Sequence, residues 1–227
     1  MNLKNYRAII FDLFHTLTSL ESTKAPGLST CEILGISRKA WNEQLLFHSM
    51  DRLRGITKDP IEIIKKMAQS INRNISDAVI REAVRGRINR FQYALVHIEP
   101  SVVKTLKKLK ESGKLIGLVS NSDVSEIAAW DNSPIKNFFD SVVFSCHVGY
   151  IKPEKEIYTT CLKELNISAR ESLYVGDGSC DELRGAKEVG MTTVLITYII
   201  KQIWPEKITE HRKYADYEID KLSELLE

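Results

Sequence analysis

Four short, nearly unbroken apolar runs constrain this chain more than any other feature. They are Ala8-Ile9-Ile10-Phe11, Leu115-Ile116-Gly117-Leu118-Val119, Leu173-Tyr174-Val175 and Thr193-Val194-Leu195-Ile196, with a weaker fifth at Val142-Val143-Phe144. A strand with one wet face alternates apolar and polar residues. These runs are apolar at successive positions, so both faces must be covered, as in a parallel sheet flanked by helices. The intervening segments carry helix punctuation. Pro100 opens a stretch from Val102 to Ser112 that Gly113 closes, Pro153 opens Glu154 to Leu165, and Gly190 ends a stretch that starts at Asp181. Strands alternating with helices predict an α/β domain, a doubly wound, Rossmann-like parallel sheet. Such sheets place ligands at the carboxyl ends of strands, near the topological switch.

The stretch from Ser19 to Val96 breaks this rhythm. It holds no convincing strand, and its apolar residues recur at helical spacing: Trp41, Leu45 and Met50; Ile61, Ile64 and Met67; Val79, Ala83, Ile88 and Phe91. Asp59-Pro60-Ile61-Glu62 reads as a helix start, with a cap, a first-turn proline and a glutamate three residues on from the cap. The expected organisation is an α/β core domain from residues 1–18 and 97–227, with an inserted all-helical cap domain at 19–96. A net charge of +2, with basic residues such as Lys104 to Lys110 strung along a helical face, gives no pull toward nucleic acid or membrane. The four cysteines are scattered without a C-x-x-C pair, which argues against a disulfide framework or zinc site and for a reducing compartment. No apolar run approaches a membrane span, and the N-terminus enters a strand without a signal-peptide core. The expectation is a soluble cytoplasmic protein, monomer or homodimer.

Four motifs follow the strands. Phe11-Asp12-Leu13-Phe14-His15-Thr16 places an aspartate at the end of the first run. Val119-Ser120-Asn121-Ser122 places a hydroxyl at the end of the second. Ile151-Lys152-Pro153 puts a lysine before a helix, and Val175-Gly176-Asp177-Gly178-Ser179-Cys180-Asp181 puts two carboxylates around a glycine turn. Alone, each has an ordinary reading as a turn, cap or solvated residue. Together they can process an anion. A carboxylate can attack phosphorus and form an acyl-phosphate. Several carboxylates in one cleft call for a hard cation, for which Mg²⁺ is suited. Lys152, Ser120 and backbone N–H groups near Asn121 can hold a transferred phosphoryl group, and Thr16 can orient the loop.

In these motifs, Asp12 with Thr16, Ser120, Lys152-Pro153, and Asp177 with Asp181, the chain resembles the haloacid dehalogenase superfamily along essentially its whole length. Gly185-Ala186 and the tail from Ala215 to Asp220 share that resemblance. It implies a Mg²⁺-dependent hydrolase, most simply a phosphatase acting on a small phosphorylated metabolite through an aspartyl-phosphate. Asp12, Thr16, Ser120 and Lys152 are then catalytic, and Ser120, Asn121 and Lys152 bind substrate. Asp12, Asp177, Asp181 and the Phe14 backbone carbonyl ligate the metal, and the insert corresponds to a C1-type cap that confers specificity. In the cap, His48, Arg52 and Arg54 cluster. His48 and Arg52 share a helical face, so that Arg52 is a candidate substrate contact.

One position departs from the pattern. Phosphatases of the superfamily carry a second aspartate two residues after the nucleophile, and here Phe14 stands. Its side chain cannot move protons, so a contribution of about 100- to 10,000-fold must be absent or come from elsewhere. His15, with a reference pKa near 6.5, is one candidate and equally a structural residue. An aromatic there resembles the C–halogen-cleaving members, whereas Asp177 stands where the metal-free dehalogenases are Ser/Asn-rich. A 2-haloacid dehalogenase, a phosphonate hydrolase using Lys24, Lys39 or Lys58, and a non-catalytic member binding a phospho-ligand or protein partner are the competing expectations.

Overall fold

The computed structural model describes residues 2–18 and 24–227; the boundary expected at residue 19 falls outside them. Each apolar run becomes a strand: β1 (Ala8–Phe11), β2 (Leu115–Ser120), β3 (Ser141–Phe144), β4 (Ser172–Gly176) and β5 (Thr192–Ile196). A sixth, β6 (Tyr217–Ile219), joins the edge. All pair in parallel in the order β3-β2-β1-β4-β5-β6. The chain winds outward from β1 in one direction through β2 and β3, then restarts on the other side at β4. The switch point therefore lies between β1 and β4, where a crevice forms at the strand ends.

Consecutive apolar residues serve opposite faces. Ile9 and Phe11 pack with Leu106 and Leu109 of helix Pro100–Glu111, while Ala8 and Ile10 pack with Ile157, Tyr158 and Cys161 of helix Lys155–Glu164. Helix Glu182–Val189 approaches the loop before Lys155 unusually closely. A Cβ at Gly185 would lie 2.5 Å from the Pro153 carbonyl oxygen, so glycine is required for that contact.

Among the described residues, 30–96 contain five helices and no strand: Thr30–Leu34, Arg38–Phe47, Ser49–Leu53, Pro60–Ile71 and Asp77–Val96. They form a separate apolar cluster around Trp41, Ile64, Met67 and Ile80. Asp59 caps the fourth helix by accepting from the Ile61 N–H at 2.9 Å.

A buried charge cluster fastens this helical block to the sheet layer. Arg52 Nη1 lies 3.0 Å from Asp123 Oδ2 and 3.3 Å from Glu126 Oε1. Arg87 Nη2 pairs with Glu126 and lies 3.6 Å from Asp123, and its Nε donates to Ser125 Oγ. All four charged residues are buried, and two positive charges balance two negative ones. Burial works against ionisation of Asp123, but Arg87 and Arg52 hold its carboxyl below the usual value. Removing one partner of such a cluster leaves an uncompensated buried charge. Arg87→Met is expected to cost about 3–5 kcal/mol in thermal or urea unfolding, and adding Glu126→Leu should recover a large part of it. A loss below about 1 kcal/mol for the single change would mean that the cluster does not fasten the block.

Candidate active site

The sheet brings the separate motifs together because β1 lies between β2 and β4. Asp12 follows β1 directly, and its N–H donates to the Val175 carbonyl at 2.9 Å, continuing the β1–β4 pairing by one residue. Ser120 ends β2, and Asp177 follows β4. Lys152 arrives from a loop, so its placement needs another device. The Asn121 side-chain amide supplies it by imitating a peptide. Its Oδ1 accepts from the Lys152 N–H at 2.8 Å, and its Nδ2 donates to the Lys152 carbonyl at 3.2 Å.

The Lys152 ammonium sits 2.5 Å from Asp12 Oδ1 and 2.5 Å from Glu182 Oε2. Tyr174 donates its hydroxyl to the same Glu182 oxygen at 2.8 Å, and the Gly178 N–H donates to the other at 3.0 Å. Thr16 Oγ1 donates to Asp12 Oδ2 at 3.0 Å, fixing the carboxylate's rotation. Asp177 accepts from the N–H and hydroxyl of Ser179 at 2.8 and 3.0 Å, and His15 Nδ1 lies 3.6 Å from it. Gly176 is needed because a Cβ there would lie 2.1 Å from Glu182 Oε1.

Burial dominates the ionisation of this group. It raises the Asp12 carboxyl, an effect that Lys152 opposes and Asp177 reinforces. It pushes Glu182 up to about 8, again against Lys152 and with Asp12. Asp177 moves the other way: burial is outweighed by hydrogen bonds from His15 and Ser179 and by the charge of His15. Burial disfavours the Lys152 ammonium, yet Asp12 and Glu182 hold its pKa above the usual value.

Ligand oxygens of Asp12, Asp177 and Glu182 all lie within 4.8 Å of one another. Lys152 meets two of these buried carboxylates, Asp12 and Glu182, while Asp177 faces His15 and Ser179, so a cation between the three would relieve their mutual repulsion. An all-oxygen donor set suits Mg²⁺ rather than a soft metal.

Asp12, Thr16, Ser120, Asn121, Lys152 and Asp177 thus converge. Three expectations change. Asp181 does not join the cluster; it is exposed and pairs with Arg184 at 3.0 Å. Cys180 and Asp181 both adopt positive φ, 55° and 54°, which turns Asp181 outward and delivers Glu182 to the site instead. Arg52 is not free for substrate, because the Asp123–Glu126 cluster engages it. Its neighbour Arg54 likewise reaches the sheet layer, donating to the Gly149 carbonyl at 2.8 Å and pairing with Glu154. The amide of Asn121 is committed to Lys152, which leaves its backbone N–H for a substrate.

The Phe14 ring packs edge-on against Phe91 of helix Asp77–Val96, with centroids 5.2 Å apart. His15, at φ 65°, turns away from Phe14 and toward Asp177. Lys24 is exposed and pairs with Glu99, and Lys39 and Lys58 are exposed as well. Glu182 and Tyr174 were not singled out from the sequence. The signal for Glu182 was present in Asp181-Glu182, adjacent acids of which one had to face inward. No helix of the described residues is long and apolar enough to cross a membrane.

The model for haloacid dehalogenase-like hydrolases matches residues 9–196. A glyceraldehyde 3-phosphate phosphatase of Pyrococcus furiosus is 27% identical over 240 residues, covering 99% of this chain and 93% of the relative. Another, from Methanocaldococcus jannaschii, is 32% identical over 181 residues, covering 73% of this chain and 75% of the relative. The crystal structure of a dehalogenase superposes with a TM-score of 0.67 at 22% identity, covering 97% of this chain and 95% of that one, a likeness of fold. With the family match spanning all four strand-end motifs, the chain belongs to the haloacid dehalogenase-like hydrolases.

Proposed function

We propose that the protein is a Mg²⁺-dependent phosphatase acting on a small phosphorylated metabolite of a few carbons, with Asp12 as nucleophile. The observation that carries this reading is the buried group Asp12–Lys152–Asp177–Glu182, with one carboxylate oxygen of Asp12 on the lysine and the other on Thr16. The names of the two relatives supply the size of substrate. Residues 19–96 are read as the cap domain over this site.

In the proposed reaction Asp12 attacks phosphorus, the P–O bond to the alcohol breaks, and an aspartyl-phosphate forms. Water then attacks that phosphorus and releases phosphate and the free carboxylate. Lys152, Ser120 and the Asn121 N–H hold the transferring oxygens, and Thr16 keeps the nucleophile aimed. Asp12, Asp177, Glu182 and the Phe14 carbonyl would hold Mg²⁺, which when bound neutralises the carboxylates and the phosphoryl charge. The aromatic Phe14 favours a second reading, 2-haloacid cleavage, in which halide leaves without a proton. The buried Asp177 weighs against it, because its unscreened negative charge would repel a carboxylate substrate.

Without an acid at position 14, the rate should depend on the leaving group. Phosphate release with Mg²⁺ is expected from p-nitrophenyl phosphate and acetyl phosphate. It should be abolished by EDTA or Asp12→Asn, and be roughly 100- to 10,000-fold slower on simple alkyl phosphates. Chloride release from 2-chloropropionate in EDTA, with no phosphate release from any ester, would sink the phosphatase reading.

Metal binding should also depend on pH. The folded, metal-free protein holds a proton on Glu182 up to about 8, where the unfolded chain has already lost it. This group's contribution to stability is therefore present at low pH and is lost as pH rises toward that value. Ligation needs the deprotonated carboxylate. The Tm gain from Mg²⁺ should be larger near pH 8.5 than near pH 5.5, and Glu182→Gln should flatten that difference. An equal gain at both pH values would exclude Glu182 from the metal set.

A further inference from the structure

Between β5 and β6 the chain makes a detour over the carboxyl ends of the strands. Residues 199–214 contain four short helical turns, Ile200–Ile203, Pro205–Lys207, Ile208–His211 and Arg212–Tyr214. Ile200 and Ile208 are buried in the apolar layer that also holds Tyr158 and Leu183. Lys201 Nζ lies 2.6 Å from Asp220 Oδ1, and the Arg212 guanidinium donates twice to Glu218 of β6, at 2.6 and 3.0 Å. Apolar burial and ion pairs thus fix the segment at its start, middle and end.

The segment touches two of the catalytic loops. Trp204 packs edge-on against His15, with centroids 5.8 Å apart, and His15 Nδ1 lies 3.6 Å from Asp177 Oδ2. His211 reaches the loop after β4 directly, across 34 residues of sequence, with Nδ1 2.9 Å from the Asp177 carbonyl oxygen. A carbonyl oxygen only accepts, so Nδ1 carries the proton and donates it. The ring also lies flush on Gly178. A Cβ there would come within 2.4 Å of Nδ1 and 2.5 Å of Cγ. Gly178 has φ 89°, so glycine serves both the backbone conformation and the approach of the ring.

The bond matters because of the peptide group it reaches. The Asp177 carbonyl and the Gly178 N–H belong to one planar unit. Its N–H donates to Glu182 Oε1 at 3.0 Å while its carbonyl accepts from His211. One peptide plane is pinned at both ends, and it joins Asp177 to the carboxylate of Glu182, two of the three acids whose oxygens lie within 4.8 Å of one another. Hydrogen bonds chained in this way polarise and strengthen each other. The residues that follow give the turn no rigidity of their own. Cys180 and Asp181 hold left-handed conformations, which cost a non-glycine residue stability and persist only where neighbours enforce them. With no donor at the carbonyl, rotation of the peptide would withdraw the N–H from Glu182 and leave a buried carboxylate oxygen without its partner.

Building on the phosphatase reading and its metal set, we infer that His211 is a positioning residue. It sets the orientation of the Asp177–Gly178 peptide and, through it, the spacing of the Asp177 and Glu182 carboxylates. It acts through the backbone, from a segment that lies beyond all four strand-end motifs.

Two variants separate the donor from the bulk of the ring. His211→Ala removes both, whereas His211→Asn keeps an N–H donor close to the position of Nδ1. In the metal-free protein, hydrogen exchange of the Gly178 amide should quicken roughly tenfold in His211→Ala and return close to the wild-type rate in His211→Asn. Amides of β5, which report opening of the whole sheet, should not change. Calorimetry with Mg²⁺ should show a Kd raised about 10- to 100-fold by His211→Ala and within a few fold of wild type for His211→Asn, the usual effect of a group that orients a metal ligand. Gly178 exchange that His211→Ala leaves unmoved, or quickens only in step with β5, would overturn the inference. So would an unchanged Kd in a protein whose wild type binds Mg²⁺. Phosphate release from acetyl phosphate reads the phosphatase assignment separately. The exchange measurement needs neither metal nor substrate, so it decides the role of His211 even if that assignment fails.

Discussion

The Lys152 ammonium, 2.5 Å from both Asp12 and Glu182, is the interaction on which the rest of the site depends. Taking a carboxylate out of water costs several kcal/mol even after relaxation, and here three are buried side by side. The ammonium that meets two of them, Asp12 and Glu182, lowers that cost only if it cannot move. Each neighbouring constraint therefore acts on Lys152 or on the carboxylate facing it. Asn121 binds both backbone groups of Lys152. Gly185 lets the last long helix approach the Pro153 carbonyl, and Tyr158 donates to the Glu182 carbonyl at 2.8 Å, tying that helix to its neighbour. The conformations of Cys180 and Asp181 belong to the same set, because without them the helix would present its first acid to solvent and none to the lysine.

The sheet was legible because each central strand is apolar at successive positions, a pattern that admits few alternatives. The edge strand Tyr217-Glu218-Ile219 was not. Three residues with a charge in the middle carry no more signal than a loop, and only pairing to β5 makes them a strand. Asp12, Ser120, Lys152 and Asp177 could be picked out because each stands where an apolar run stops or a helix begins. The choice between Asp181 and Glu182 could not be made, since spacing alone leaves the facing of adjacent acids to one or two left-handed residues. Arg52 failed for a different reason. Its helical neighbours are readable from periodicity, but its partners Asp123 and Glu126 lie about seventy residues away in a loop that resembles any capping segment.

That distant pairing bears on how the helical block can work. It is held to the sheet layer by charges, Arg52 and Arg87 on Asp123 and Glu126, and Arg54 on Glu154. Apolar contacts hold it as well: Phe91 meets Phe14, Leu95 joins the sheet's core cluster and Val124 packs on the block's own cluster. A greasy interface resists separation in proportion to the area exposed. An ionic one behaves differently, because charges that part regain hydration and much of the Coulomb loss is returned. On the cap reading proposed above, the ionic part of the seam would let the block lift and settle at lower cost than apolar burial alone. The arginines also sit at the second-strand loop that carries Ser120 and Asn121, so seating of the block and order of the phosphoryl site are mechanically linked.

On the proposed reaction, the Phe14–Phe91 pair would set the character of the catalysis. A carboxylate at position 14 would bring a proton and also more negative charge and water to a site already crowded with carboxylates. The aromatic ring brings neither. It leaves Lys152, Thr16 and the backbone donors in a drier surrounding, where each electrostatic contact with a transferring phosphoryl group is stronger. The cost falls on the departing oxygen, which must leave with its charge unless the substrate supplies relief. Thr16, which holds one Asp12 oxygen, and Lys152, which holds the other, would fix the nucleophile's direction and so substitute positioning for proton transfer. The same replacement that weakens one catalytic device thus makes the remaining ones, charge compensation and alignment, carry the rate.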